Sequence, residues 1–155
     1  MAIINDLVVR VRILINDQNK LGYSDPELIG YINDAIGYLS TYLISAKDPE
    51  MVSEINVAEG GIVPTNFCSF SGSYPVYIVD NTFKLYDPTT PFIARYFASK
   101  QTTNIGNSTF PFKDIYIPVV IRLASTYALN RNEFNITQDN TIIVDMLNMI
   151  KAAKS

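Results

Sequence analysis

One long amphipathic segment, residues 22–43 (GYSDPELIGYINDAIGYLSTYL), constrains the fold of this chain more than any other feature. As an N-cap, Ser24 can accept a hydrogen bond from the backbone N–H three residues later, and Glu27 can bond back to the N–H of the cap. Pro26 stands in the first turn, where its missing N–H costs nothing. The spacing predicts a helix over residues 25–46. Its buried face recurs at three- and four-residue steps: Leu28, Ile29, Ile32, Ala35, Ile36, Leu39, Tyr42 and Leu43.

Three further helices are predicted on similar grounds. Apolar residues at helical spacing cover residues 5–15, with Arg12 and the other charged residues of this segment off the apolar stripe. A third helix is predicted over residues 114–130, where Pro118 marks either a kink or a later start. Thr137 is the predicted N-cap of the last helix.

The chain between the second and third helices has a different character. It is rich in β-branched and aromatic residues and is interrupted by Gly and Pro, which favours short strands. Asp80-Asn81 separates two such runs and is typical of a hairpin turn. The predicted strands cover residues 52–57, 74–79, 82–86 and 92–97.

These segments together predict an α+β fold in a single domain over residues 1–155. About four α-helices, in two antiparallel pairs, form a helical framework over residues 1–48 and 112–155. A small antiparallel β insertion over residues 50–99 lies between the two pairs in sequence. Gly30 and Gly37 share one face of the second helix, which would permit the close approach of another backbone.

The composition argues against most catalytic chemistry. The chain contains no His, which removes the commonest general base and the most frequent zinc ligand. A calcium loop beginning at Asp17 is not expected either, because Leu28 stands where the loop needs Glu. We therefore expect no enzymatic activity, no cofactor and no metal site. The single cysteine, Cys68, cannot form an internal disulfide and is predicted to be a small buried apolar residue.

Charge and hydropathy narrow the range of partners. The net charge is −3 and the basic residues are scattered, which argues against sequence-specific DNA binding. Charged residues interrupt the apolar N-terminal segment, so neither a signal peptide nor a membrane span is expected. The polar stretch Lys100–Phe110 is predicted to be a loop that becomes ordered only on binding a partner.

Ten Tyr and eight Phe are more than four short helices need. Many of them fall in the predicted β insertion, where they would form either a core or an interface, since Tyr is enriched where protein surfaces meet. Stacking on single-stranded nucleic acid would need a basic groove beside them, and none is apparent. The interface candidates in this region are Tyr74, Tyr77, Phe83, Tyr86 and Tyr96.

Three segments of the chain resemble one protein family. They are similar to the helices of head–tail connector (adaptor) proteins of tailed bacteriophages. The segments are residues 7–14 (LVVRVRIL), residues 23–35 (YSDPELIGYINDA) and residues 116–133, which begin with Tyr-Ile-Pro and end with YALNRNE. The three likenesses follow the order of the family's helices and span somewhat under half of the chain.

The resemblance implies a structural protein of the virion, located at the head–tail junction. During assembly it would be in the host cytoplasm. Such a protein forms a ring, commonly a dodecamer, beneath the portal protein, contacts a tail or stopper protein, and lines a channel through which DNA passes without specific binding. By this analogy, the C-terminal segment from about Asn130 onward lies near the portal, and Tyr127, Asn130 and Arg131 are interface candidates. Two alternatives stay open: another tail-completion or protein-interaction module, and a small metal-dependent hydrolase or nuclease.

Overall fold

The computed structural model of the chain describes residues 2–100, 106–130, 144 and 147–152. It has a mixed α+β architecture with small antiparallel sheets, as the sequence predicts. Residues 144 and 147–152 are also helical, whereas Thr137, the predicted cap of that helix, lies outside the described residues. The elements are α1 (Ile4–Leu14), α2 (Asp25–Ser45), β1 (Val52–Val57), β2 (Phe67–Phe70), β3 (Val76–Val79), β4 (Thr82–Leu85), β5 (Phe92–Ala98) and α3 (Ile117–Leu129).

The chain divides into two compact units. The first comprises Met1–Leu39 together with Thr102–Ser155, and the second comprises Ser40–Gln101. The second unit contains all five strands and nearly coincides with the predicted β insertion. That the whole chain forms one domain remains a prediction.

Local signals at the helix ends explain where the helices begin and stop. The backbone N–H of Glu27 donates to Ser24 Oγ at 3.2 Å, so Ser24 caps α2 as the sequence predicts. At the other end of α2, Lys47 adopts a positive φ and the N–H of Asp48 donates to Leu43 O, which is a Schellman-type stop. Pro118 stands in the first turn of α3, after a short 3-10 turn, so this helix starts late and is not kinked there.

In the first unit, most of the predicted apolar faces of the helices are buried, but Leu14 of α1 and Leu129 of α3, which helical spacing places on those faces, are exposed. The buried apolar residues of α1 include Ile4, Leu7, Val8 and Val11, and this helix packs against α3. The hydroxyl of Tyr23 donates to Ala128 O at 2.9 Å, which ties the start of α2 to the end of α3. In the stretch predicted to be a loop, Phe110 N donates to Ala2 O, so the end of that stretch is bonded to the N-terminus.

The second unit contains two antiparallel sheets. One has the strand order β1-β5-β2 and the other is the hairpin of β3 and β4. Asp80 and Asn81 both have positive φ, 50° and 62°, as the predicted two-residue turn requires. β2 was not predicted, because its four residues, FCSF, show no polar alternation, and its pairing with β5 includes a bulge.

Burial in the second unit corrects one sequence prediction. Its core combines Val57, Val63, Phe83, Leu85 and Ala94 with several partly buried aromatic rings. Cys68, expected to be buried, is exposed. The reason is its place on β2, where the half-buried neighbours Phe67 and Phe70 face the core and the residues between them do not.

Candidate interface

Arg12 organises the connection between α1 and α2, contrary to the expectation that it lies off the buried face. Its side chain is nearly buried, with the residue 4% exposed. Nη1 donates to Asp17 Oδ2 at 2.9 Å and to Tyr23 O at 3.0 Å, and Nη2 donates to Asp25 Oδ1 at 2.6 Å. The buried charge is therefore matched by two carboxylates and a carbonyl, which makes its burial tolerable.

The two carboxylates in this network have structural roles. Asp17 also accepts hydrogen bonds from the backbone N–H groups of Leu21, Gly22 and Tyr23, so it closes the turn between the helices. The hydrogen bond from Arg12 holds the pKa of Asp25 below its ordinary value. Over the part of the chain that the structure describes, no group of three or more His, Cys, Asp or Glu could hold a metal ion.

The first unit also has an exposed apolar surface. Val9, Ile13 and Leu14 on α1 are exposed. A groove of about 360 Å³ is lined by Arg10, Ile13 and Leu14 of α1 and by Pro118, Ile121 and Arg122 of α3. A mainly apolar lining with two arginines suits a protein partner better than a phosphate backbone, which needs clustered cations.

The second unit exposes apolar side chains on its hairpin. The rings of Tyr77 on β3 and Tyr86, just after β4, lie 5.5 Å apart, and Tyr86 is 73% exposed. Ile78 and Val79 of β3 are also exposed. Tyr77, Val79 and Tyr86 lie on the face of the hairpin that points away from the core, whereas Ile78, opposite buried Phe83, projects from the other face, since side chains alternate along a strand. We call Tyr77, Val79 and Tyr86 the hairpin patch, because neighbouring exposed apolar side chains mark interfaces.

A shallow cavity of about 470 Å³ also lies in the second unit. Its walls include Tyr74, Pro75 and Phe92, and the Tyr74 and Phe92 rings stack at 5.8 Å with a 12° angle between their planes. Asp87 is at its edge, where hydrogen bonds from Thr89 and Thr90 hold the pKa of the carboxyl group below its ordinary value. The cavity therefore presents aromatic walls and one anionic group.

The predicted interface residues separate into several environments. Phe83 and Tyr96 are buried in the second unit, and Tyr74 is half-buried and accepts a hydrogen bond from the backbone N–H of Arg95. Tyr77 and Tyr86 are exposed and adjacent. In the first unit, Tyr127 and Asn130 are half-buried, and Arg131 lies outside the described residues.

Sequence reasoning missed exposed aliphatic residues in both units. Leu14 lies on the predicted apolar stripe of α1, so the sequence does not distinguish it from the buried face, whereas Ile13 lies off that stripe, four residues after exposed Val9. Ile78 and Val79 carry one detectable signal: β3 reads Val-Tyr-Ile-Val, with no polar residue to form a solvent-facing side. Such a strand must be covered on both faces or leave apolar residues exposed.

Comparison of the sequence with models of known protein families and with curated proteins found no match. Among the residues that the structure describes, no helix is long and apolar enough to cross a membrane.

Proposed function

We propose that this chain is a structural protein of the neck of a tailed-phage virion, a head–tail connector that forms a ring beneath the portal and joins the capsid to the tail. The observation that carries this proposal is the likeness of three segments, in order, to the helices of that family. Those segments correspond to α1, α2 and α3, which supports the comparison. We further infer that the helices form two antiparallel pairs, with the β insertion between the pairs in sequence.

The exposed apolar surfaces support an assembly role. A cyclic ring uses heterologous contacts, in which one face of a subunit binds a different face of the next copy. Each unit of this chain exposes apolar side chains: the groove beside Ile13 and Leu14 in the first, and the hairpin patch in the second. Under this proposal, these surfaces contact neighbouring copies, the portal, or a tail or stopper protein.

The charge of the chain fits a channel wall that does not hold DNA. The net charge is −3 and the twelve Lys and Arg residues are distributed along the sequence. DNA affinity depends on cations that neutralise phosphates, so a wall with few clustered cations lets DNA pass. The protein acts as a non-enzymatic component of the virion.

The test is the solution mass of the purified protein, alone and mixed with the portal ring encoded by the same genome. We expect a complex whose added mass equals a full ring, nominally twelve copies. Tyr86→Ser should weaken that complex at least about tenfold if the hairpin patch contacts a neighbour. Leu21→Ser is the control, because Leu21 is also a large, exposed hydrophobic residue but lies outside both surfaces.

A second function is favoured by the same exposed surfaces: another tail-completion or protein-interaction module. The two proposals differ in symmetry, since a general module would remain a monomer or closed dimer in the presence of the portal. That result would exclude the connector role.

For the remaining alternative, a hydrolase, a rise in melting temperature on adding Mg²⁺ or Mn²⁺ would be the supporting sign.

A further inference from the structure

The hairpin of β3 and β4 has one covered edge and one open edge. On the outer side of β4, Gly60 N donates to Phe83 O at 2.9 Å and Phe83 N donates to Gly61 O at 2.8 Å. An isolated bridge between Ile62 and Thr82 extends this cover. In the described part of the chain, β3 pairs with β4 alone, so its outer edge has no strand beside it.

The register shows which backbone groups face that open edge. Ile78 lies opposite Phe83 in the antiparallel pair. Since both backbone groups of Phe83 bond on the far side of β4, Ile78 and Phe83 form a non-hydrogen-bonded pair. The N–H and C=O of Ile78 therefore point away from β4, toward the open edge, and offer one donor and one acceptor at the same residue.

The side chains do not protect this edge. Natural sheets discourage edge pairing with charged residues, prolines within the strand, or bulges. β3 has none of these over Val76–Val79, and no shift in register interrupts its pairing with β4. Ile78 is 43% exposed, with Tyr77 and Val79 exposed on either side of it. An uncharged, regular and exposed strand edge is a template for pairing with another strand.

We propose that two copies of this chain pair through β3, antiparallel, with Ile78 at the two-fold axis. In this register, the N–H of each Ile78 donates to the C=O of the other, and Tyr77 lies opposite Val79 of the second copy. We choose a second copy of this chain as the partner because two β3 strands are complementary. Each supplies a backbone donor and acceptor at Ile78 and apolar side chains over Val76–Val79. No like charges meet within the paired strands.

The covered edge of β4 limits the assembly to two copies. Sheet pairing could otherwise continue into a fibre, but residues 60–63 occupy the far side of β4. Strands of four residues bury less surface than the roughly 800 Å² per partner of a stable complex, so the dimer is weak and depends on concentration. This proposal does not rest on the connector function, because a two-fold contact does not close a ring.

The backbone nature of the contact allows a sharp test. Ile78→Pro removes the outward N–H and leaves the bonds between β3 and β4 intact, and proline is tolerated on edge strands in that position. Ile78→Val, the matched control, keeps the N–H and an apolar β-branched side chain. Both variants are compared by sedimentation equilibrium without the portal, in a Cys68→Ser background, because exposed Cys68 could form adventitious disulfides.

We expect the parent and Ile78→Val proteins to show a dimer fraction that rises with concentration, and Ile78→Pro to remain monomeric. A parent protein that is monomeric at every concentration, or an Ile78→Pro variant that dimerises like the parent, would overturn the proposal.

A cross-linking experiment tests the register without substituting Ile78. Tyr77 and Val79 of opposing copies would be a non-hydrogen-bonded pair, with Cα atoms about 4.5 Å apart and within reach of a disulfide. Tyr77→Cys and Val79→Cys proteins, both lacking Cys68, should therefore cross-link faster when mixed than either does alone. Equal rates in mixed and unmixed samples would contradict the pairing. Both substitutions are at exposed positions, so folding should be retained.

Discussion

At the scale of single residues, the buried Arg12 is a determinant of local stability. It bonds to Asp17 and Asp25, and Asp17 is itself buried. Removing the guanidinium leaves a buried carboxylate without its counter-charge, and breaking a buried pair from one side is strongly destabilising.

We therefore expect Arg12→Met to lower the free energy of unfolding by about 2–4 kcal/mol, as measured by urea denaturation. Arg12→Lys should recover only part of this loss, because one ammonium group cannot reproduce the two-pronged contact. Arg10→Met is the control, since Arg10 is exposed on the same helix and should change stability by less than about 0.5 kcal/mol. Equal effects of Arg12→Met and Arg10→Met would show that the network contributes little.

Asp25 gives this network a pH dependence with a defined sign. Its folded-state pKa is lowered, so its contribution to stability is complete above the ordinary value of 3.8 and is lost as the pH falls through the folded-state value. The Asp25 side chain is 52% exposed, which limits the contribution to less than about 1 kcal/mol. Asp25→Asn should thus be less stable than the parent near neutral pH, and the difference should shrink in acid. A difference that stays constant with pH would argue against the ion pair.

At the scale of elements, a substitution of Gly30, in the interior of α2, can test packing within the chain separately from packing against a partner. A Cβ added there would meet no atom within 4 Å. Gly30→Ala should therefore stabilise the free protein by about 0.5–1 kcal/mol, through the better helix propensity of alanine. Gly61→Ala is the contrasting control, because its Cβ would lie 3.1 Å from Ala58 O, so no comparable gain is expected.

The same variant bears on the prediction that another backbone approaches this face of α2. If a neighbouring subunit packs against Gly30, Gly30→Ala should weaken assembly with the portal while raising the melting temperature of the free chain. A variant that is more stable and assembles normally would exclude close packing at Gly30.

At the scale of the whole molecule, the prediction that Lys100–Phe110 becomes ordered only on binding has different outcomes for residues 101–105 and for Phe110. Residues 101–105 lie outside the described residues, and for them it remains a prediction. The amide of Phe110 donates to Ala2 O, and Phe110 is buried, so this amide should resist hydrogen exchange already in the free protein. Hydrogen exchange should then show new protection in 101–105 on assembly with the portal. Equal exchange in the free and assembled protein would contradict this.

Several elements could be predicted because their signals are local. Ser24 lies three residues before the N–H that it caps, and Asp80-Asn81 accommodates positive φ at the turn. β2 escaped prediction because its pairing with β5 is non-local and its own sequence shows no alternation. Of the interface candidates, exposed Tyr86 and buried Phe83 are separated by strand alternation, since Tyr86 shares the face of Lys84 and Phe83 that of Leu85, but this signal was not used.

The sequence by itself determined the α+β class, the N-cap of α2, most of the buried faces of the helices, and the hairpin turn, since each depends on residues within one or two turns of chain. Only the tertiary structure decided that Arg12 is buried and Cys68 exposed, because burial depends on which distant groups arrive beside a side chain. It also decided that β3 has an open edge. The cover on the neighbouring strand comes from residues 60–63, and nothing in the sequence of the hairpin records which of its edges they occupy.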